Sequence, residues 1–126
     1  MSLTLEDLRR AIPRKHEQVD VPEFGEGATL WVYALTAGEM NAVNASMMNK
    51  SWEGIDKEKA KFRTERIVCA AIRDENGQRI LSDNDIDVLS GWPLDLFDRV
   101  WAVANGLNGN GLGKNAKKNS DATDEE

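Results

Sequence analysis

Changes in the period of apolar and polar positions divide the chain into elements. Thr4 can cap LEDLRRAI, which has Glu6 and Asp7 in its first turn and Arg9 and Arg10 near its end before Pro13 stops it, so a short helix is predicted over residues 5–12. Val19 and Val21 then alternate with Asp20, PEFGEGA supplies a loop with two glycines, and TLWVYAL is rich in β-branched and aromatic residues. This predicts a hairpin of residues 17–22 with 28–34. Leu30, Val32 and Ala34 occupy one face of the second strand and Trp31, Tyr33 and Leu35 the other, so both faces are apolar and the hairpin must pack on helices or gain strands.

The period changes at Thr36. Thr36-Ala37-Gly38-Glu39 fits a capping box and predicts a helix over residues 37–49, along which Met40, Val43 and Met47 fall at helical spacing. Ser51-Trp52-Glu53-Gly54 breaks it. The charged stretch DKEKAKFRTER followed by the apolar run Ile67 to Ile72 predicts a second helix over residues 56–73 with a buried end, because the run is too short to span a membrane. Asn76-Gly77 supplies a tight turn, and Ser82 caps the helix that Ile86 to Leu89 begins. Ile80 and Leu81 between them either pair as a third strand or link two helices. The last element carries two apolar rows, one of Leu94, Phe97, Trp101 and Ala104 and one of Leu96, Val100, Val103 and Leu107, behind Pro93. So wide an apolar face calls for cover on more than one side, by the domain itself or by a second copy of the chain.

Beyond Leu107 the pattern stops. NGNGLGKNAKKNSDATDEE has too little apolar content to offset the entropy of ordering, which predicts a single globular domain over residues 1–107 and a disordered Asn/Gly/Lys/acidic tail over 108–126. The fold class expected is α+β, mainly helical, with an N-terminal β-hairpin packed on a bundle of about four helices.

Composition narrows the functional classes. A formal net charge of −6 and a sequence pI near 4.9 argue against phosphate-backbone binding, which needs clustered Lys and Arg, so no nucleic-acid partner is expected. One cysteine, Cys69, cannot form an internal disulfide, and the acids in MSLTLEDLRR do not fit a secretory signal; a reducing cytoplasm without membrane attachment is the expected setting.

No reactive constellation emerges. Asp83, Asp85 and Asp87 alternate as at the start of a calcium loop, but Val88 stands where the loop needs Gly and Leu94 where it needs a bidentate Glu. His16 is the sole histidine, flanked by charged residues, and reads as a solvated side chain. Cys69 lies in an apolar run without a nearby histidine and reads as a small inert core residue. The glycines after Gly106 lack the preceding strand and the Ser or Thr after Lys114 that a phosphate loop requires. No catalytic residue, metal site or cofactor is expected, and a non-enzymatic role follows.

RIVCAAIRDENGQRILSDNDIDVL, preceded by TLWVYALTAGE and followed by LDLFDRVWAVANGLN, resembles the tail assembly chaperones of long-tailed bacteriophages and prophages. The resemblance spans roughly residues 19–107. It rests on the order of apolar positions, the Leu35-Thr36-x-x-Glu39 element, the Asp74 to Gly77 turn and the closing Leu107-Asn108. It implies a non-catalytic protein of the host cytoplasm, absent from the mature virion, that coats the tape measure protein and assists tail tube assembly. It also implies a longer product made by frameshifting, for which the codons of Gly113-Lys114 or Lys117-Lys118 would be slippery, that recruits tail tube subunits. A structural tail component, such as a completion or tube protein, and a small regulatory adaptor fit the same composition. Such binding would run through apolar surface, and the residues expected to bind a partner are Met40, Val43, Met47, Trp52, Phe97 and Trp101. For the methionine row and Trp52, burial in the core is the competing reading.

Overall fold

A computed structural model of the chain describes residues 1–112 of the 126. Helix α1 (Leu5–Arg9) opens with the capping box of Thr4 and Asp7 but ends at Arg10, short of Ile12, because none of its residues is buried against anything. Strands β1 (His16–Asp20) and β2 (Thr29–Tyr33) form the expected hairpin, with Val19 opposite Leu30 and Glu17 opposite Val32. Val19 and Val32 turn inward and are buried. On the outer face His16 stacks on Tyr33 at 4.8 Å between ring centroids, and the Arg14 guanidinium lies 5.7 Å from the Tyr33 ring centre. The second apolar face of the strand is thus partly covered by the chain's own N-terminal side.

Helix α2 (Ala37–Ser46) builds its capping box as the sequence indicates: Thr36 Oγ1 accepts the Glu39 N–H at 3.1 Å and Glu39 Oε1 accepts the Thr36 N–H at 2.9 Å. It stops before residue 49 because the Met47 carbonyl is taken by the Asp56 N–H at 2.7 Å and the Asn49 N–H goes to the Gly54 carbonyl at 2.8 Å. Those two bonds close a small loop over residues 47–56.

The helix expected over residues 56–73 is corrected in two ways. It is split into α3 (Lys57–Ala60), capped by Asp56, and α4 (Arg63–Ala71), and Arg66 donates from Nε to the Lys59 carbonyl at 3.3 Å across the break. It also ends two residues early. Ile72–Arg73 is strand β3, paired antiparallel with β2 through Val32 and Trp31, so the third strand comes from here and not from Ile80-Leu81, which lies in the link from β3 and its turn to the next helix. No glycine or proline marks that change; β3 exists because β2 offers an open edge and Glu39 offers Arg73 a charge partner.

The turn at Asp74 to Gly77, with Gly77 at φ 82°, leads through the link to a 3-10 turn at Asp83–Asp85, helix α5 (Ile86–Ser90) and helix α6 (Leu94–Leu107). The sheet order is β1-β2-β3. The α+β, mainly helical class holds, with six α-helices among the described residues, two of them fragments of one predicted helix.

Every residue from 67 to 73 is buried, because α4 lies between two apolar clusters. Val68, Cys69 and Ala71 meet the sheet, α5 and α6, while Ile67 and Ala70 meet Val43 and Met47 of the α2 side. Each fully buried aliphatic side chain of this size contributes about 1.5–3 kcal/mol. Packing also continues past the expected boundary at residue 107. Asn108 donates from Nδ2 to the Ala104 carbonyl at 2.7 Å and accepts the Leu35 N–H on Oδ1 at 3.0 Å, and Leu112 packs on the second cluster. Gly113 to Glu126, where most of the expected disordered tail and the proposed slippery codons fall, lie outside the described residues.

Candidate functional site: an apolar groove

The largest reactive-looking side chains serve structure. Arg73, only 7% exposed, donates to Glu39 Oε2 at 2.6 Å, to the Ala70 carbonyl at 2.9 Å and to the Gly77 carbonyl at 3.3 Å. Glu39 Oε1 takes Arg14 Nη2 at 2.5 Å, and Arg14 also reaches the Ala34 carbonyl. One carboxylate therefore ties the entry to β1, the start of α2 and strand β3. Burial pushes the Glu39 carboxyl up, but the Thr36 N–H and the two arginines outweigh it and hold it below its ordinary value of 4.5. Burial pushes the Cys69 thiol up to about 11, so it stays protonated and packs as an apolar residue. Among the described residues no three His, Cys, Asp or Glu side chains gather to hold a metal ion, and no helix is long and apolar enough to cross a membrane.

The six residues expected to bind a partner are not brought together. Val43 and Met47 are corrected to core: at 6% and 4% exposure they present no surface, since α4 packs directly on that row. Met40, Phe97 and Trp101 are half-buried against the same clusters. Trp52 alone among the six stands clear, 66% exposed, at φ 61° in the loop over residues 47–56. The left-handed conformation costs a residue with a side chain on the order of 1 kcal/mol. Asn49 enforces it: its Oδ1 accepts the Glu53 N–H at 3.1 Å, and its carbonyl accepts the Trp52 N–H at 3.1 Å.

A groove that periodicity did not indicate lies over the larger apolar cluster, against which Leu30, Leu81 and Trp92 pack. Leu30 and Ile72 form its floor, Phe24 and Trp92 one wall, and Ile80, Leu81 and Val88 the other. Phe24, Ile80 and Val88 are 57%, 55% and 45% exposed. The Phe24 wall is pinned: its ring meets Trp92 edge-on at 5.6 Å, and Arg99 of α6 donates to both Glu23 oxygens at 3.0 and 2.9 Å. Glu23 is held below the usual carboxylate range chiefly by that Arg99 hydrogen bond. The opposite wall is fixed by Arg79, which bridges back to Arg73 and donates to Asp83 at 3.1 Å, and by the capping box of Ser82 and Asp85.

The groove encloses about 180 Å3, below the several hundred usual for small-molecule sites, and has almost no polar lining. It suits apolar side chains presented by another protein. A sequence signal for it did exist: Phe24 in a glycine loop, Ile80 in a link and Trp92 before Pro93 are large apolar residues that belong to no period.

No protein-family model and no curated protein matches the chain. Among solved structures, the bacteriophage HK97 tail assembly chaperone is similar to it at 14% identity and a TM-score of 0.48, over 71% of this chain and 85% of that one.

Proposed function

We propose that this protein is a phage tail assembly chaperone that holds the tape measure protein, without catalysis, by seating apolar side chains of that partner in the groove between Phe24 and Val88. The observation that carries the reading is the groove itself. A domain of this size has left Phe24, Ile80 and Val88 substantially exposed around one depression, although it buries every residue from 67 to 73. Exposed apolar surface gathered in one place is costly to solubility and marks a surface for binding. The sequence resemblance supplies the partner, the tape measure protein, with tail tube subunits joining later through a longer product. Trp52 provides a second exposed aromatic anchor, held rigidly by its loop. Net charge of −6 keeps the free protein soluble in the host cytoplasm, where this work would take place before the virion matures.

Co-expression with the tape measure protein of the same genome tests the reading. The expected result is a higher soluble yield of the tape measure protein and co-purification of the two, both lost with Ile80→Asp. An unchanged yield without co-purification overturns it.

A further inference from the structure

The charges around the groove are one-sided. Glu23, Glu26, Asp74, Glu75, Asp83 and Asp87 lie on or beside its lining segments, whereas the three nearby cations, Arg73, Arg79 and Arg99, are already paired with Glu39, Asp83 and Glu23. Glu26 lies two residues past Phe24, Asp87 directly precedes Val88, and Glu75 lines a shallow depression that shares Leu30 and Ile80 with the groove. All three are exposed, and none makes an ion pair among the described residues. We infer that the groove takes an amphipathic helix whose apolar stripe is flanked by lysines and arginines. This rests on the reading of the groove as a protein-binding surface and names the chemistry of the segment it holds.

A helix fits better than an extended peptide. The strand beside the groove, β3, has two residues, and Arg73 on its outer side is already bridged to Arg79, so β3 offers no edge of useful length for strand addition, and the longer open edge, that of β1, lies at the opposite side of the sheet. What the groove does offer is side-chain space between two apolar walls about an apolar floor, which matches side chains spaced along one helical face. Free carboxylates at Glu26, Glu75 and Asp87 would meet the residues bordering that face, where opposite charge speeds association and like charge excludes the wrong partner.

Two designed peptides of about 18 residues, sharing one Leu and Ile stripe but flanked by Lys in one and Glu in the other, test this by fluorescence anisotropy with the full chain. The Lys-flanked peptide is expected to bind about tenfold more tightly at low salt, the advantage shrinking as ionic strength rises. E26K/E75K/D87K is expected to reverse the preference, and Ile80→Asp to abolish binding of both peptides. Ile80 is more than half exposed, so a thermal melt close to that of the parent shows that Ile80→Asp still folds. Equal affinity for the two peptides, a preference unmoved by the triple reversal, or binding that survives Ile80→Asp overturns the inference. Concentration-dependent self-association by light scattering that Ile80→Asp abolishes would also overturn it, by assigning the groove to a second copy of the chain. Tape measure co-purification that the triple reversal leaves intact would sink the charge rule alone; expected peptide binding without co-purification would sink the chaperone reading alone.

Discussion

Helices α1 and α4 both carry large aliphatic residues, yet they end in opposite environments. Leu5 and Leu8 of α1 are 62% and 69% exposed, while Ile67 and Val68 of α4 are fully buried. α1 has the better start, a complete capping box, whereas α4 begins at Phe62 with no capping side chain at all. Local signals therefore decide where a helix begins, and neighbours decide whether it matters to the fold. α4 has α2, α5, α6 and the sheet around it; α1 is followed by Pro13 and an edge strand, with nothing to cover it.

The sharpest way to break the comparison is to open a hole beside α4. Ile67→Ala removes a fully buried side chain from the cluster shared with Val43 and Met47, and should destabilise the domain by about 3 kcal/mol in urea unfolding. A cost below 1 kcal/mol would mean that α4 is not the centre of the packing.

The next effect concerns the charge that lets α4 end where it does. Glu39→Gln leaves the buried Arg73 guanidinium without its carboxylate, and should cost about 2 kcal/mol, less than a fully buried pair because Glu39 itself is partly exposed. pH offers the same test without mutation. The folded-state pKa of Glu39 lies below its ordinary value of 4.5, so its contribution is whole above that value and fades as pH falls through the depressed one. The parent should therefore lose stability on acidification below about pH 4.5 more steeply than Glu39→Gln; parallel curves would remove Glu39 from the account.

Much of this arrangement was legible in the residues. Thr36 and Glu39 announced a capping box, Asn76-Gly77 a turn, and the unbroken run Ile67 to Ile72 a segment covered on all sides. The sequence elements that carried the family resemblance also turn out to touch: Leu35 bonds to Asn108, Glu39 pairs with Arg73, and Arg73 reaches the Gly77 carbonyl. They form one connected frame. The places that went unread depend on contacts between distant segments. Nothing local distinguishes Ile72-Arg73 from a helix end, because β3 is made by the open edge of β2. Helical spacing leaves Met40, Val43 and Met47 open as either a binding surface or core, and only the helix that lies on the row decides for core at Val43 and Met47. The groove draws on separate segments from Phe24 to Trp92, so no period along the chain could show it.

A smaller effect separates stability from binding. Trp52→Gly relieves a left-handed backbone that a glycine adopts freely, offset by the greater freedom glycine gives the unfolded chain, so stability should change by less than about 1 kcal/mol in either direction. If Trp52 is an anchor for the proposed tape measure partner, the same variant retains fold and loses affinity for that protein. A large drop in melting temperature would show instead that the indole holds the loop over residues 47–56 together.

The smallest effect falls on α1. Leu8→Ser removes an aliphatic side chain from a helix with no buried residue, and should change unfolding free energy by less than about 0.5 kcal/mol. A loss of the 2 kcal/mol order seen for core leucines would mean that α1 packs on the domain in solution. Hydrogen exchange draws the contrast residue by residue. A five-residue helix without tertiary cover sits far below the length at which isolated helices persist, so the amides of Leu8 and Arg9 should exchange nearly as fast as in an unfolded chain. Those of Val68 to Ala71, bonded within a helix packed on both sides, should exchange only through opening of the whole domain. Protection at Leu8 equal to that at Val68 would erase the distinction between the two helices, because it would require a covering surface that α1 lacks.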